Sequence, residues 1–174
     1  MATDTRLSDA GHQLLDNLAA ELTTRGLDVP DDRRYVHAGI VAHDFAGESC
    51  AEAFVVSWVG SSGGELGSGQ QGAIVPIRCS MPLNHTFLIA ILRCVPVVRA
   101  DLRPPTQAAL DDAGTTILTD AMTMSAAIVD LGGEGLFDSP QFMHAQVGIA
   151  NVSPIGPQGG VGGSVVQLVV SLTG

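Results

Sequence analysis

The sequence predicts an α+β fold: an antiparallel sheet of about four to five strands with two helices packed on it. Thr86–Val98 is the longest apolar run of the 174 residues and is typical of a central strand buried on both faces. Two other segments place apolar residues at helical spacing. The order of the elements is helix, two strands, central strand, helix, two strands. That order differs from the strict alternation that builds a parallel sheet.

The composition indicates one acidic domain over residues 1–174. Eighteen acidic and eight basic side chains give a net charge of −10, and there is no lysine. Such a chain is a poor candidate for binding nucleic acid through its phosphates. Only 15% of the residues are charged, against about 25% in typical soluble domains. The low charge indicates that part of the surface is covered by partner subunits.

The cysteines and the N-terminus favour synthesis in a cytoplasm. Cys50, Cys79 and Cys94 are an odd number at wide spacing, which predicts free thiols in a reducing compartment, with Cys94 buried in the central strand. The N-terminus lacks the apolar core of a signal peptide, and no run is long enough to cross a membrane. We therefore expect no membrane association.

The first half of the chain predicts a helix, two strands and a loop. The helix runs from Ser8, as N-cap, to Arg25, with Gly26 after its end. Strands are predicted at Tyr35–Ala42 and Ala51–Val59, and their short link favours an antiparallel hairpin. Residues 60–72 contain six glycines and predict a flexible loop.

The second half predicts the central strand, a helix and two more strands. Pro96 has no N–H to donate, so the central strand should end or bulge there. Thr106 caps a helix that runs to about Leu131. Ala145–Val152 and Ser164–Leu172 are the last two strands. The Gly/Pro-rich residues 153–163 between them predict a second flexible loop.

No motif in the sequence assembles a catalytic or metal site. The glycine-rich segments lack the Lys-Ser/Thr ending of a phosphate-binding loop and do not open a helix. The five histidines lack metal-ligand spacing, and no acid/base pair or triad is evident. We therefore predict a protein without enzymatic activity, metal or cofactor. One alternative stays open: a cytosolic oligomeric enzyme or ligand-binding domain whose site combines Cys79, His85 and Arg93 at a subunit seam.

Three stretches resemble a known family. They are LRCVPVV at 92–98, PPTQAALDDAGTTILTDA at 104–121, and the Gly156–Gly160 run that leads into VGGSVVQLVV. Together they are similar to a small structural family in the virion genes of long-tailed phages of actinobacteria. The resemblance covers the second half of the chain at the level of motifs and the first half in layout. It implies a role in head–tail joining, and the best match in size and layout is the tail terminator.

A tail terminator is a small α+β protein whose copies form a ring, commonly a hexamer, that caps the tail tube and joins it to the head connector. The resemblance implies assembly in the host cytoplasm and a final location in the virion neck. Interfaces within the ring would account for the low charge. An acidic lumen would repel DNA and let it pass without specific binding. Another neck ring, a stopper or an adaptor, remains an alternative.

The two predicted loops are the candidate contacts with the tail tube protein and the connector. In the first loop the candidate residues are Gly63, Glu65, Leu66, Gln70 and Gln71. In the second loop they are Pro154, Ile155, Pro157 and Gln158.

Overall fold

A computed structural model of the protein describes residues 5–27, 29, 31–39, 52–63, 83–98, 103–142, 144–158 and 160–172. In chain order the elements are α1 (Arg6–Thr24), β1 (Arg34–Ala38), β2 (Ala53–Gly63), β3 (Leu83–Cys94), α2 (Gln107–Leu136), β4 (Gln146–Gln158) and β5 (Val161–Leu172). Short 3-10 turns lie at Asp31–Arg33 and Pro140–Phe142. The strands form one five-stranded sheet in the order β1-β2-β3-β5-β4, and both helices contact it. The predicted α+β class is confirmed.

The first two strands are parallel, so the predicted antiparallel hairpin is wrong. Arg34 lies opposite Phe54 and Ala38 opposite Trp58, in the parallel register, whereas the other three strand pairs are antiparallel. A parallel pair needs a connection of about a dozen residues or more, because the chain must return to the start of the first strand. The segment between Ala38 and Ala53 is long enough for that return. The sequence pattern alone did not distinguish a crossover connection between parallel strands from the turn of an antiparallel hairpin.

The strand β3 is the centre of the sheet, as predicted. It pairs along its length with β2 on one side and with β5 on the other. Phe87, Ile89 and Ile91 belong to the core beneath the helices, whereas Ala90 and Leu92 are buried on the opposite face. The strand begins at Leu83, three residues before the predicted start. It ends at Cys94, two residues before Pro96, as the missing N–H of proline requires.

The helix α1 uses the predicted leucine face but begins earlier than predicted. Leu14, Leu18 and Leu22 are fully buried against the sheet. The N-cap residue is Thr5 rather than Ser8, which is exposed within the first turn. At the other end Gly26 has φ of +78°, and the N–H of Leu27 donates to the carbonyl of Leu22. This is the glycine-terminated helix end that the sequence indicates.

The helix α2 is longer than predicted. The side chain of Thr106 accepts a hydrogen bond from the N–H of Ala109, which confirms the predicted cap. At Gly132 the backbone has φ of +58°, and one more turn follows to Leu136. Gly132 therefore kinks the helix without ending it. At Gly133 an added Cβ would lie 2.6 Å from the carbonyl oxygen of Ala145, so this glycine allows the helix to approach the start of β4.

The segment 153–163 is a β-hairpin, so the prediction of a loop there is wrong. β4 continues through Pro154 to Gln158, β5 starts at Val161, and Gly160 turns with φ of +89°. Proline is tolerated because β4 is an edge strand, where the missing N–H needs no partner. In the first predicted loop, residues 60–63 belong to β2, and 64–72 lie outside the described residues.

Cys94 is disulfide-bonded and exposed at the end of β3, so the prediction of a free, buried thiol is wrong for this residue. Its bonding partner lies outside the described part of the chain. The side chain sits at the rim of the sheet because the strand stops there. The apolar run around it did not reveal this position.

Candidate subunit interface

The charges of this acidic chain are unevenly distributed. No Asp, Glu, Lys or Arg follows Asp138 in the sequence, although the whole chain carries a net charge of −10. The strands β4 and β5 therefore contain no charged side chain. Both belong to the same side of the sheet, with β4 at its edge. One side of the molecule thus presents a sheet edge without charge.

The middle of α2, from Ala113 to Val129, also exposes no charged side chain. Between Ala113 and Val129 the sequence contains one ionisable residue, Asp120, and its side chain is buried. Exposed apolar side chains occupy this stretch instead: Leu118 at 61%, Met122 at 75% and Val129 at 68% exposure. These three residues fall within about 40° of one another around the helix axis. They form an apolar stripe on the solvent side of the helix.

The edge strand β4 lies beside this stripe. In the described sheet it pairs with β5 alone, so its outer edge has no neighbouring strand. Ile149 and Val152 lie opposite Leu168 and Val166, on the face that the helices cover, yet both are exposed. Exposed edge strands are usually protected by lysine or other charges, by proline, or by bulges. Here the first half of the strand has one register shift, between Ile149 and Asn151, but no charge and no proline.

α2 and β4 enclose an apolar cleft of about 420 Å³. Met122 and Ser125 of the helix line one side, and Val152 and Pro154 of the strand line the other. We use the name α2–β4 surface for the apolar residues exposed around this cleft. They are Leu118, Met122, Val129, Ile149, Val152 and Pro154.

A buried ion pair fixes α2 on the sheet beneath this surface. The guanidinium of Arg93 donates from Nε to Oδ2 of Asp120 at 2.8 Å and from Nη2 to Oδ1 at 3.3 Å. Its Nη1 donates to Glu52 at 2.8 Å. Burial alone would lower the pKa of Arg93, but the bonds with Asp120 and Glu52 outweigh it and hold the pKa above its ordinary value. The helix is therefore held in a defined position, and the surface it presents is preformed.

A serine–histidine pair lies at the opposite end of β3. Nδ1 of His85 is 2.8 Å from Oγ of Ser61. Burial, and then the nearby charge of Arg6, lower the pKa of His85, so the imidazole is neutral near pH 7. No carboxylate of the described residues bonds to this imidazole, so within this part of the chain the pair has no orienting group of the kind found in a catalytic triad.

Within one copy, two residues of the alternative site that the sequence left open lie far apart. His85 and Arg93 are eight residues apart in one strand, about 26 Å at ~3.3 Å per residue. Cys79 lies outside the described residues. Within the described ranges, no three His, Cys, Asp or Glu side chains are grouped so that they could hold a metal ion. Neither α1 nor α2 is long and apolar enough to cross a membrane.

The predicted contact residues are distributed differently from the prediction. Four of them lie outside the described residues: Glu65, Leu66, Gln70 and Gln71. Gly63 is the last residue of β2. Pro154, Ile155, Pro157 and Gln158 belong to β4 instead of a loop.

Of these β4 residues, Pro154 is part of the α2–β4 surface. Ile155 instead packs on the opposite face with the cluster around Leu92. The sequence interpretation missed the other members of the α2–β4 surface because it assigned their apolar side chains to the core. The signal that could have found them is the long absence of charge in both segments.

No protein-family model matches this chain, and no curated protein matches its sequence.

Proposed function

We propose that this chain is a structural subunit of a phage virion, a tail terminator whose copies form a ring, commonly of six. The ring caps the tail tube and joins it to the head connector. The resemblance of the segments around 92–121 and 156–170 supports this role, and the α+β architecture is the fold class that the role implies. The observation that carries the proposal is the α2–β4 surface, exposed and uncharged on a chain of net charge −10.

An exposed apolar surface of this kind is costly unless a partner covers it. Burial of side chains such as Met122 and Val129 is favourable by roughly 25 cal/mol of free energy for each Å² of apolar area removed from water. In a ring each copy covers such a surface on its neighbour, so the free energy of burial favours closure. The charged side chains then remain outside the interfaces, where they keep the assembly soluble.

The acidic balance also suits a channel for DNA. A ring of six copies carries six times the net charge of −10. An acidic lumen repels the phosphate backbone, so DNA passes without binding to the wall. The proposal assigns the chain no reaction, metal or cofactor. The protein assembles in the host cytoplasm and resides in the neck of the virion.

Light scattering and negative-stain imaging, with and without the major tail tube protein, test this function. We expect a ring of about six copies with a central pore, or a monomer that assembles into such a ring when tail tubes are added. The ring should sit at the end of the tube and stop its elongation. A ring that binds the head connector but ignores the tube would instead identify a stopper or adaptor. A compact dimer or trimer without a pore, indifferent to tubes, would overturn the proposal.

A further inference from the structure

We infer that the α2–β4 surface is the seam at which a second copy of this chain docks. The inference rests on the proposed function for the expectation that copies assemble. It goes further by naming the surface at which they meet and the forces that act there. Three properties of the surface support it: its size, its lack of charge and its shape.

The size of the surface suits a subunit contact. The uncharged stretch of α2 from Ala113 to Val129 is about 24 Å long, and Gln146–Pro154 of β4 extends about 26 Å. With a helix width of about 10 Å, helix and strand together present on the order of 500 Å². That is at the upper end of the ~300–600 Å² found for the largest apolar patch on typical monomers. It approaches the about 800 Å² that each partner buries in a standard interface.

The lack of charge selects a second copy as the occupant. Two copies that each carry a net charge of −10 repel each other on most approaches. Between Ala113 and Val129, the α2–β4 surface presents no exposed carboxylate to a neighbour, because Asp120 is buried and paired with Arg93. Asp130, at the border of this surface, is exposed but paired with Arg25. A basic partner would be attracted most strongly to the acidic parts of the molecule and only weakly to the α2–β4 surface. The approach of another acidic chain is therefore least opposed at this seam.

The shape of the surface offers two kinds of contact. The cleft between Met122 and Val152 can accept an apolar side chain of the neighbour. Beside it, no strand of the described residues pairs with the outer edge of Gln146–Ser153, so its outward backbone groups on either side of the register shift at Ile149–Asn151 can pair with a neighbour. Pro154 and Pro157 cannot donate, so this pairing is confined to the first half of β4. Apolar contact and backbone pairing then act together in one seam.

Two substitutions test the seam, with one matched control. Met122→Glu places a charge on the most exposed residue of the stripe, where the fold does not depend on the side chain. Val152→Glu does the same on β4. We expect each to raise the concentration for half-assembly at least ~30-fold, as loss of an interface hot spot does. Thr116→Glu adds the same charge on an exposed site of α2, about 120° around the helix from Met122, and should leave assembly unchanged.

Circular dichroism confirms that each variant is folded, and concentration-dependent mass measurement reports its assembly. If folded Met122→Glu and Val152→Glu both assemble like the unchanged protein, the inference is overturned. The proposed function would then lose its main support, and imaging of rings on tail tubes would decide it separately. If both variants prevent assembly but the unchanged protein forms only a dimer without a pore, the seam is correct and the ring is not.

Mixing tagged Met122→Glu with the unchanged protein distinguishes a ring contact from a two-fold contact. In a ring each contact joins two different surfaces, so the variant keeps one intact half. It should be captured together with the unchanged protein and should shorten its assemblies. A two-fold contact would place the same surface on both sides, and capture would then be lost. That result would support the seam and overturn the ring.

Discussion

At the scale of single residues, Arg93 has the most demanding environment. Its side chain is 12% exposed, Asp120 is 5% exposed, and Glu52 is 44% exposed. A buried charge is tolerated only when its partners satisfy it. Asp120 supplies two contacts from α2, whereas Glu52 supplies one from the segment before β2. The two carboxylates should therefore contribute unequally to stability.

Asp120→Asn should lower the free energy of unfolding by about 3 kcal/mol, because Arg93 then keeps its charge and loses its buried counter-charge. Glu52→Gln, at a half-exposed position, should cost at most about 1 kcal/mol. Urea denaturation followed by circular dichroism measures both values. Equal costs for the two variants would show that the buried geometry does not set the energy of this cluster.

His85 should make stability depend on pH. Burial, and then Arg6, lower its pKa in the folded state, so the unfolded state takes up a proton first as the pH falls. The contribution of the neutral imidazole is therefore complete above the unfolded pKa of about 6.5 and is lost as the pH falls through the lower folded pKa.

We expect the free energy of unfolding to decrease more between pH 7.5 and pH 5 in the unchanged protein than in His85→Gln. Urea unfolding curves at several pH values provide the comparison. Parallel pH profiles for the two proteins would exclude His85 as the source of the dependence.

At the scale of elements, the start of β5 requires glycine. A Cβ on Gly163 would lie 2.1 Å from the carbonyl oxygen of Ile91, in the backbone of the neighbouring strand. Strand β3 cannot move away, because β2 holds it from the other side. At this position the glycine therefore serves the packing of two strands and does not indicate a flexible loop.

Gly163→Ala should therefore destabilise the fold by about 1–3 kcal/mol or more, the cost of overpacking a rigid core. Gly156→Ala is the matched control, since a Cβ there meets nothing within 4 Å. Thermal unfolding should show a lower midpoint for the first variant and little change for the second. A tolerated alanine at Gly163 would mean that β3 and β5 are paired in another register.

The elements that the sequence predicted correctly have strong internal patterns. The leucines of α1, the cap of α2 at Thr106 and the apolar run of β3 are local features, and local physics determines them. The failures lie where distant parts of the chain decide the outcome. Whether β1 and β2 run parallel or antiparallel depends on the path of the segment that connects them. The hairpin at 153–163 tolerates its prolines because β4 lies at the edge of the sheet.

The α2–β4 surface could be predicted only in part. The helical period of α2 was visible, but it did not reveal which apolar residues the sheet leaves uncovered. Ile128 is buried and Val129 is exposed, although both are aliphatic neighbours in the chain. Tertiary packing decides between them. The absence of charge after Asp138 and in the middle of α2 was the sequence signal that could have located this surface.

At the scale of the whole molecule, assembly should strengthen with salt. The seam has no charge of its own, while the copies repel each other through their net charge of −10. Raising NaCl from about 0.05 to about 0.5 M shortens the Debye length and weakens that repulsion.

We therefore expect the concentration for half-assembly to fall several-fold over this range. Analytical ultracentrifugation at fixed protein concentration measures the change, with Thr116→Glu as a folded control of higher negative charge. Assemblies that dissociate in salt would point to a seam held by ion pairs and would contradict the uncharged contact.

The absence of charge after Asp138 also determines which chemical probes can reach this side of the sheet. Trypsin finds no cleavable bond between Ala100 and Gly174, because the one basic residue there, Arg103, precedes Pro104. Amine-reactive cross-linkers find no lysine, and carboxyl-reactive reagents find no target after Asp138. Standard mass spectrometry of an assembly would therefore return α2, β4 and β5 as one large tryptic fragment, with no cross-link at a side-chain carboxylate or amine in β4 or β5. A photoreactive group placed at Met122 would cross-link a neighbour at this seam without requiring a charged side chain.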